Sequence, residues 1–360
     1  MQEETKAAIK LHNQIKYEQL TRKLQSEWTE HPKNFWQIIS KLRGNKAYTN
    51  YPLKDGNKLI LNDTDKAELF RTKLQEIYRV PKSEKFNNQH LQETESIIQN
   101  HPFLYKSQNL PTNNSLIATE EVTLATTKLR NTTPGPDGIS NIIWKHIPAK
   151  ALVYITKLFS ASLNFGHVPQ RWKEAHILMF PKPNKNPGDP NSYRPMSLTN
   201  TISKLMEKIL VIKYTPLIEK KLPPSQAGFR KGVEMTDQLL RVLTPIKNAT
   251  NNRGFTTIIA APDIQKAFDT MWHDGLRIKL TQLNFPINLI RWISSFLYNR
   301  TAKVKIHETV SNTIYMEAGA PQGSTISPTL YNLYVSDIPQ PMDSTGLAQF
   351  ADDTCTQGTR

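Results

Sequence analysis

The sequence contains a single cysteine, Cys355, among its 360 residues. One cysteine excludes an internal disulfide and a cysteine-rich zinc site, and it favours a reducing compartment. The sequence also has no run of about eighteen apolar residues, and its first residues lack the apolar stretch of a signal peptide. We therefore expect an intracellular protein of the nucleus or cytoplasm that is not secreted and has no membrane partner.

Acidic residues are in the minority. Lys and Arg number 46 against 31 Asp and Glu, which leaves a formal net charge of +15. Because 38% of the residues are hydrophobic and only 21% are charged, the chain is typical of a folded protein and not of a basic disordered tail. The positive excess favours a nucleic-acid partner, and a basic protein that binds no polyanion is the alternative.

The first part of the chain predicts helices followed by a linker. Residues 17–28 and 35–42 carry apolar side chains at helical spacing, and Asp63 is suited to cap a further helix. We assign residues 1–80 to a helical N-terminal linker segment. Residues 81–118 lack sustained periodicity, so we expect a loop or linker there.

Two nucleotide-binding classes find no support in the glycine spacing. The segment 226–232 (QAGFRKG) is a glycine-flanked basic turn that matches neither a Walker A loop nor a dinucleotide fingerprint. The sequence therefore does not predict a P-loop NTPase or a Rossmann enzyme.

Acidic residues follow two short apolar stretches. Asp263 ends the β-type run 256–263 (TTIIAAPD), and Asp352 and Asp353 follow the run 347–350 (LAQF). Adjacent carboxylates repel each other unless a cation neutralises them, and Mg²⁺ prefers such sparse oxygen sites. Two ions about 4 Å apart suit an in-line displacement at phosphorus. An exposed turn remains the alternative for the acid pair.

Seven segments, taken in order, carry a family resemblance. Three of them resemble motifs A, B and C of reverse transcriptases: residues 263–269 (DIQKAFD), 319–328 (GAPQGSTISP) and 350–353 (FADD). Four more resemble forms found in non-LTR retrotransposons, especially the jockey-like group: residues 134–138 (PGPDG), 193–198 (YRPMSL), 226–230 (QAGFR) and 272–276 (WHDGL).

The resemblance implies an α+β right-hand polymerase, with fingers and a palm built on an antiparallel sheet, preceded by the helical N-terminal segment. Residues 119–255 would form the fingers-like and early palm region, and residues 256–360 the palm. The chain ends at Arg360, seven residues after Asp353, before the thumb that relatives carry. We therefore expect a fragment of a longer polyprotein.

The activity that the resemblance implies is RNA-directed DNA synthesis by two-metal nucleotidyl transfer. Its partners would be an RNA template, a DNA primer and deoxynucleoside triphosphates; the oligomeric state is not indicated. Asp263, Asp352 and Asp353 would be catalytic and would hold two Mg²⁺ or Mn²⁺ ions together with the main-chain carbonyl of Ile264. Pro262 precedes Asp263 and would remove a hydrogen-bond donor from a central strand. The alternative is an inactive, nucleic-acid-binding remnant of a degenerate element.

The same resemblance assigns five nucleotide-binding residues. Phe268 would be the aromatic gate that excludes the ribose 2′-hydroxyl, with a core phenylalanine as the alternative. Gln322 would contact the incoming nucleotide, and Gly323 would let the backbone approach it closely, unless the two form a plain turn. Lys182 and Arg194 would hold the triphosphate, with solvated surface charge as the alternative.

Overall fold

The computed structural model describes residues 18–19, 21–22, 51–79, 88–100, 116–251, 256–339 and 345–359. Its helices are α1 (Asp63–Ile77), α2 (Asn88–Asn100), α3 (Thr119–Thr127), α4 (Asn141–Lys145), α5 (Ala149–Phe165), α6 (Thr201–Glu219), α7 (Met235–Asn251), α8 (His273–Gln282), α9 (Ile287–Leu297) and α10 (Ser327–Tyr334). Its strands are β1 (Leu53–Asp55), β2 (Lys58–Ile60), β3 (Glu174–Pro181), β4 (Tyr193–Thr199), β5 (Thr257–Ala260), β6 (Arg300–Ile306), β7 (Thr309–Val310), β8 (Ile314–Met316), β9 (Thr345–Phe350) and β10 (Asp353–Thr359).

The strands form a hairpin and two larger sheets. Strands β1 and β2 make the hairpin, and the five-stranded sheet has the order β4-β3-β6-β7 with β8 also paired to β6. The three-stranded sheet has the order β5-β10-β9 and is antiparallel throughout. Only β3 and β6 pair in parallel among the strands described above. The expected α+β class with an antiparallel palm sheet is confirmed.

Two hydrophobic cores hold these elements. The larger core lies among α3, α5, α6, α8, α9 and α10 and includes Phe159 and Trp292. The smaller core lies between α1 and the five-stranded sheet and includes Phe70, Ile177 and Val304. In the described part of the chain, no helix has both the length and the apolar character needed to cross a membrane.

Residues 51–79 belong to the smaller core and are not a separate linker. Helix α1 buries Phe70 against the sheet, and Gln75 exchanges two hydrogen bonds of 2.9 Å with the main chain of Tyr315 in β8. The residue that caps α1 is Asn62, which accepts from the Asp65 amide at 2.7 Å. The expectation for Asp63 was wrong because Asn62 is the residue with extended backbone angles. The periodic stretches 17–28 and 35–42 lie almost entirely outside the described residues.

The predicted loop at 81–118 contains helix α2, so that expectation was wrong over residues 88–100. Within this helix Thr94 is buried and Leu91 is half-buried, and the helix contacts α8. A helix with so few apolar residues shows little periodicity, and contact with the rest of the fold stabilises it instead.

The strand before Asp263 is shorter than expected and lies at the edge of its sheet instead of the centre. Strand β5 ends at Ala260 and lies at an edge of the three-stranded sheet, where it pairs with β10. Pro262 therefore follows the strand and removes no ladder hydrogen bond, which corrects the expectation of a proline in a central strand. The central strand of this sheet is β10.

Candidate active site

The acid pair lies in the hairpin that joins β9 to β10. Phe350 pairs with Asp353, which leaves Ala351 and Asp352 as the two turn residues. Ala351 has a φ of +59°, a left-handed backbone conformation that costs a residue with a side chain about 1 kcal/mol or more. Asp352 is half-buried at the tip of the hairpin, and Asp353 is exposed at the start of β10.

The side chain of Gln226 holds this turn. Its Oε1 accepts from the amides of Ala351 and Gly228, each at 2.9 Å, and its Nε2 donates to the Ala351 carbonyl at 3.1 Å. Gln226 is 1% exposed. A Cβ at Gly228 would lie 2.2 Å from the Ala351 amide nitrogen, so only glycine lets these two segments pack together. The role of Gln226 was missed from the sequence.

A cleft of about 800 Å³ lies beside this turn. It brings together eight of the nine residues predicted from the sequence: Lys182, Arg194, Asp263, Ile264, Phe268, Gln322, Gly323 and Asp352. Asp353 is not among the lining residues. A larger cleft of about 1030 Å³ lies around Arg277, Arg291 and Arg300 and contains none of the predicted residues.

The cleft carries few carboxylates. Within the described ranges, no group of three or more His, Cys, Asp or Glu side chains is arranged to hold a metal ion. Two of the three predicted acids, the exposed Asp263 and the half-buried Asp352, line the cleft with Ile264. Two carboxylates and a main-chain carbonyl fit Mg²⁺, which completes its octahedral shell with water and substrate phosphate oxygens.

Phe268 lies between two other aromatic rings. It stacks on Tyr331 with ring centroids 4.5 Å apart and meets Phe229 edge-on at 6.2 Å. Burial, and then the charge of Asp352, raise the pKa of Tyr331 above its ordinary value. Phe268 is half-buried and lines the cleft, so packing on one side fixes a ring that the cleft leaves accessible on another.

Hydrogen bonds fix both the main chain and the side chain of Gln322. Its main-chain carbonyl accepts from the Ser197 amide in β4 at 2.6 Å, and its side-chain Nε2 donates to Asp269 Oδ2 at 2.8 Å. Gly323 has a φ of +119°, and a Cβ there would lie 2.5 Å from the Ser197 carbonyl oxygen. The turn at Gln322 and Gly323 is therefore packed tightly against β4.

Asp269 is a further acid of the cleft, and the sequence did not indicate its role. It lines the cleft and is 4% exposed. Burial raises the pKa of Asp269 to about 6, although the hydrogen bond from Gln322 and the positive charge of Lys266 lower it. The signal available in the sequence was its place as the last residue of the segment 263–269.

Glu207 is a second buried acid near the cleft, and its role was also missed. It is completely buried in α6 and accepts from Ser324 Oγ at 2.6 Å and from the Thr325 amide at 2.7 Å. The carboxylate of Glu207 thus fixes the loop between Gly323 and helix α10, because amides and hydroxyls at the start of a helix favour a nearby anion.

The two predicted cationic residues also line the cleft. Lys182 follows β3, and its amide donates to the Ser192 carbonyl at 2.7 Å; Arg194 is exposed in β4. Both line the cleft with Asp263 and Asp352. The cleft therefore contains both acids and cations, a combination suited to a phosphate-bearing ligand.

Residues 180–357 match the family described as reverse transcriptase (RNA-dependent DNA polymerase). The chain is 38% identical over 231 residues to a probable RNA-directed DNA polymerase from transposon X-element of Drosophila melanogaster, covering 62% of this chain and 25% of the relative. It is 36% identical over 250 residues to the RNA-directed DNA polymerase from mobile element jockey of the same organism, covering 67% and 27%. The chain thus spans about a quarter of the length of these relatives.

A solved structure gives a weaker match. A chain of a Cas6-RT-Cas1–Cas2 complex is similar to 68% of this chain over 24% of its own length, with 19% sequence identity and a TM-score of 0.37. That score is too low to establish a shared fold.

Proposed function

We propose that this chain forms the fingers and palm of an RNA-directed DNA polymerase of a non-LTR retrotransposon, because residues 180–357 match the reverse transcriptase family. The observation that carries the proposal is the single cleft that contains Asp263 and Asp352 together with the cations Lys182 and Arg194. The relatives from transposon X-element and mobile element jockey bear the name of this activity.

In the proposed reaction the primer 3′-hydroxyl attacks the α-phosphate of a deoxynucleoside triphosphate, and pyrophosphate leaves. Asp263, Asp352 and the carbonyl of Ile264 would hold two divalent ions, with Asp353 as the less essential acid. When bound, such ions lower the pKa of the attacking hydroxyl and neutralise the leaving oxygen. Lys182 would orient the triphosphate by its point charge. Arg194 would orient it by the planar fork of donors in its guanidinium group.

Two cleft residues would select the nucleotide. Phe268 would exclude the ribose 2′-hydroxyl, and its stacking on Tyr331 supports this role because a ring that is packed from behind does not move aside. Gln322 and Gly323 would lie against the incoming base and sugar. The net charge of +15 supports the proposed binding of an RNA template and a DNA primer.

Primer extension tests the proposal. The chain is incubated with an RNA template, an annealed labelled DNA primer, deoxynucleoside triphosphates and Mg²⁺. We expect template-dependent extension, and a loss of more than roughly 100-fold in Asp352→Ala because a direct ligand is removed. Asp337→Ala is the control, since Asp337 is an exposed residue outside the cleft that pairs with Lys279.

Binding separates this proposal from its alternative. In the alternative, the chain binds the RNA–DNA hybrid of template and primer without extending the primer. Such binding, if it weakens steeply with salt, would support an inactive nucleic-acid-binding remnant. Extension of equal rate in wild type and Asp352→Ala would contradict the assignment of the acid.

A further inference from the structure

We propose that Asp269 is a positioning residue that orients the side-chain amide of Gln322 toward the incoming nucleotide. The inference rests on the proposed function, because Gln322 matters for nucleotide binding only in a polymerase. It adds to that function a buried carboxylate that touches no reacting atom and acts through Gln322.

The first step is the hydrogen bond between the two side chains. Gln322 Nε2 donates to Asp269 Oδ2 at 2.8 Å. An ionised carboxylate only accepts hydrogen bonds, whereas an amide has a donor end and an acceptor end. Asp269 therefore selects one of the two orientations of the Gln322 amide, because the flipped amide would place two acceptors together. The second N–H of Nε2 and the side-chain oxygen Oε1 remain for other partners.

The second step is that the backbones on both sides are already fixed. The Gln322 carbonyl accepts from Ser197, and the Ala320 amide donates to the Phe268 carbonyl at 2.8 Å. A Cβ at Gly319 would lie 2.4 Å from the Asp269 carbonyl oxygen, so the two segments are in close contact. With the main chains held, the rotation of the Gln322 amide is the freedom that is left for Asp269 to control.

The third step is the surroundings of the carboxyl. Asp269 is 4% exposed, and its Oδ1 is buried without a hydrogen bond of ordinary geometry in the described part of the chain. The buried hydroxyl of Tyr78, at the end of α1, faces this carboxyl, and Lys266 and Lys182 supply positive charge. Burial still dominates and raises the pKa of Asp269 to about 6.

The charge state of Asp269 therefore changes in an accessible pH range. Above pH 6 the ionised carboxylate accepts from Gln322 and enforces one orientation of the amide. Below pH 6 the carboxylic acid has a proton of its own to donate, and it is compatible with either orientation. Asparagine at this position does not titrate, and its amide can donate as well as accept, so at every pH it permits both orientations as the carboxylic acid does.

Kinetics give the first test. Single-nucleotide incorporation on an RNA template is measured from pH 5.5 to 8 in wild type, Asp269→Ala and Asp269→Asn. At pH 8 we expect Asp269→Ala to raise KM for the nucleotide about tenfold with a smaller change in kcat, since the lost hydrogen bond involves a charged group. Asp269→Asn keeps a hydrogen-bonding partner but permits both orientations of the amide, so we expect a smaller rise in KM at pH 8 than in Asp269→Ala and no pH dependence of KM near pH 6.

Side-chain NMR gives a second test that needs no activity. In protein labelled with ¹⁵N in glutamine side chains, the Gln322 amide signal is identified by its loss in Gln322→Leu. We expect this signal to titrate near pH 6 in wild type and to be independent of pH in Asp269→Asn. Tyr78→Phe is the matched control and shifts the midpoint while it leaves the titration in place.

The outcomes are distinct. A wild type that incorporates no nucleotide overturns the proposed function and with it the role of Asp269, whereas the NMR titration still decides whether the two side chains interact. An unchanged KM in a folded, active Asp269→Ala variant overturns the positioning role. A Gln322 signal that does not titrate contradicts the proposed interaction.

Discussion

The two acids that line the cleft differ in how the fold supports them. Asp352 lies in a turn that Gln226 holds with two hydrogen bonds and that Gly228 contacts closely. Asp263 follows an edge strand and is exposed, and the strand itself presents Ile258 and Ile259 at 71% and 48% exposure. The turn that carries Asp352 is supported by buried residues, whereas Asp263 follows a strand at the edge of a sheet. Substitutions at the two places therefore have different consequences for stability.

The largest expected effect is at Gln226. Gln226→Leu removes all three hydrogen bonds to the main chain of Ala351 and Gly228 and leaves buried groups without partners. We expect a loss of about 2–4 kcal/mol in the free energy of unfolding, because each buried polar group left unpaired costs about 1–3 kcal/mol. Denaturant unfolding with urea measures it.

The matched comparison is Asp263→Ala on the exposed side. Because exposed side chains away from special features contribute little, this variant is expected to change stability by less than about 0.5 kcal/mol. Equal losses in the two variants would contradict the difference in support that the structure indicates.

A second effect, somewhat smaller, is expected at Gly228. A methyl group at Gly228 meets the Ala351 amide nitrogen at 2.2 Å, so Gly228→Ala forces the two segments apart. We expect a loss of about 1–3 kcal/mol, as for other overpacking substitutions. Gly232→Ala is the control: its φ is +77° and nothing lies within 4 Å of the new methyl, so it costs about 1 kcal/mol through the backbone alone. Thermal unfolding of the two variants distinguishes the cost of the steric contact at Gly228 from the cost of the backbone conformation at Gly232. A larger loss of stability in Gly232→Ala would contradict this interpretation.

Local patterns in the sequence indicated residues that the fold brings to one cleft, but they did not indicate the residues that support them. Eight of the nine predicted site residues line one cleft, and all of these except Lys182 lie within short motifs that can be recognised on their own. Gln226 and Ala351 are 125 positions apart, and Gln322 and Asp269 are 53 apart. Neither spacing nor periodicity indicates such long-range pairs, so the supporting roles of Gln226 and Asp269 required the fold.

The errors in the fold have a related cause. The predicted strand through Asp263 ends at Ala260, and helix α2 lies where we expected a loop. Both segments carry weak local signals, and their structure depends on contacts with β10 and α8. Backbone strain was equally hidden from the sequence. Phe229, Lys266 and Ala351 have positive φ angles of 57°, 54° and 59° at or beside the cleft, and glycine does not mark these positions.

The smallest expected effect sharpens the comparison between the acids themselves. Asp352 lines the cleft and Asp353 does not, so Asp352→Ala and Asp353→Ala should differ in their response to Mg²⁺. An ion that binds only the native state stabilises it by about 1.4 kcal/mol at ten times its dissociation constant. We expect millimolar Mg²⁺ to raise Tm by a few degrees in wild type and in Asp353→Ala, and to leave Tm unchanged in Asp352→Ala. Differential scanning calorimetry with and without Mg²⁺ measures the shift. If Asp353→Ala alone loses it, the exposed acid at the start of β10 is the ligand, and the cleft as described is not the metal site.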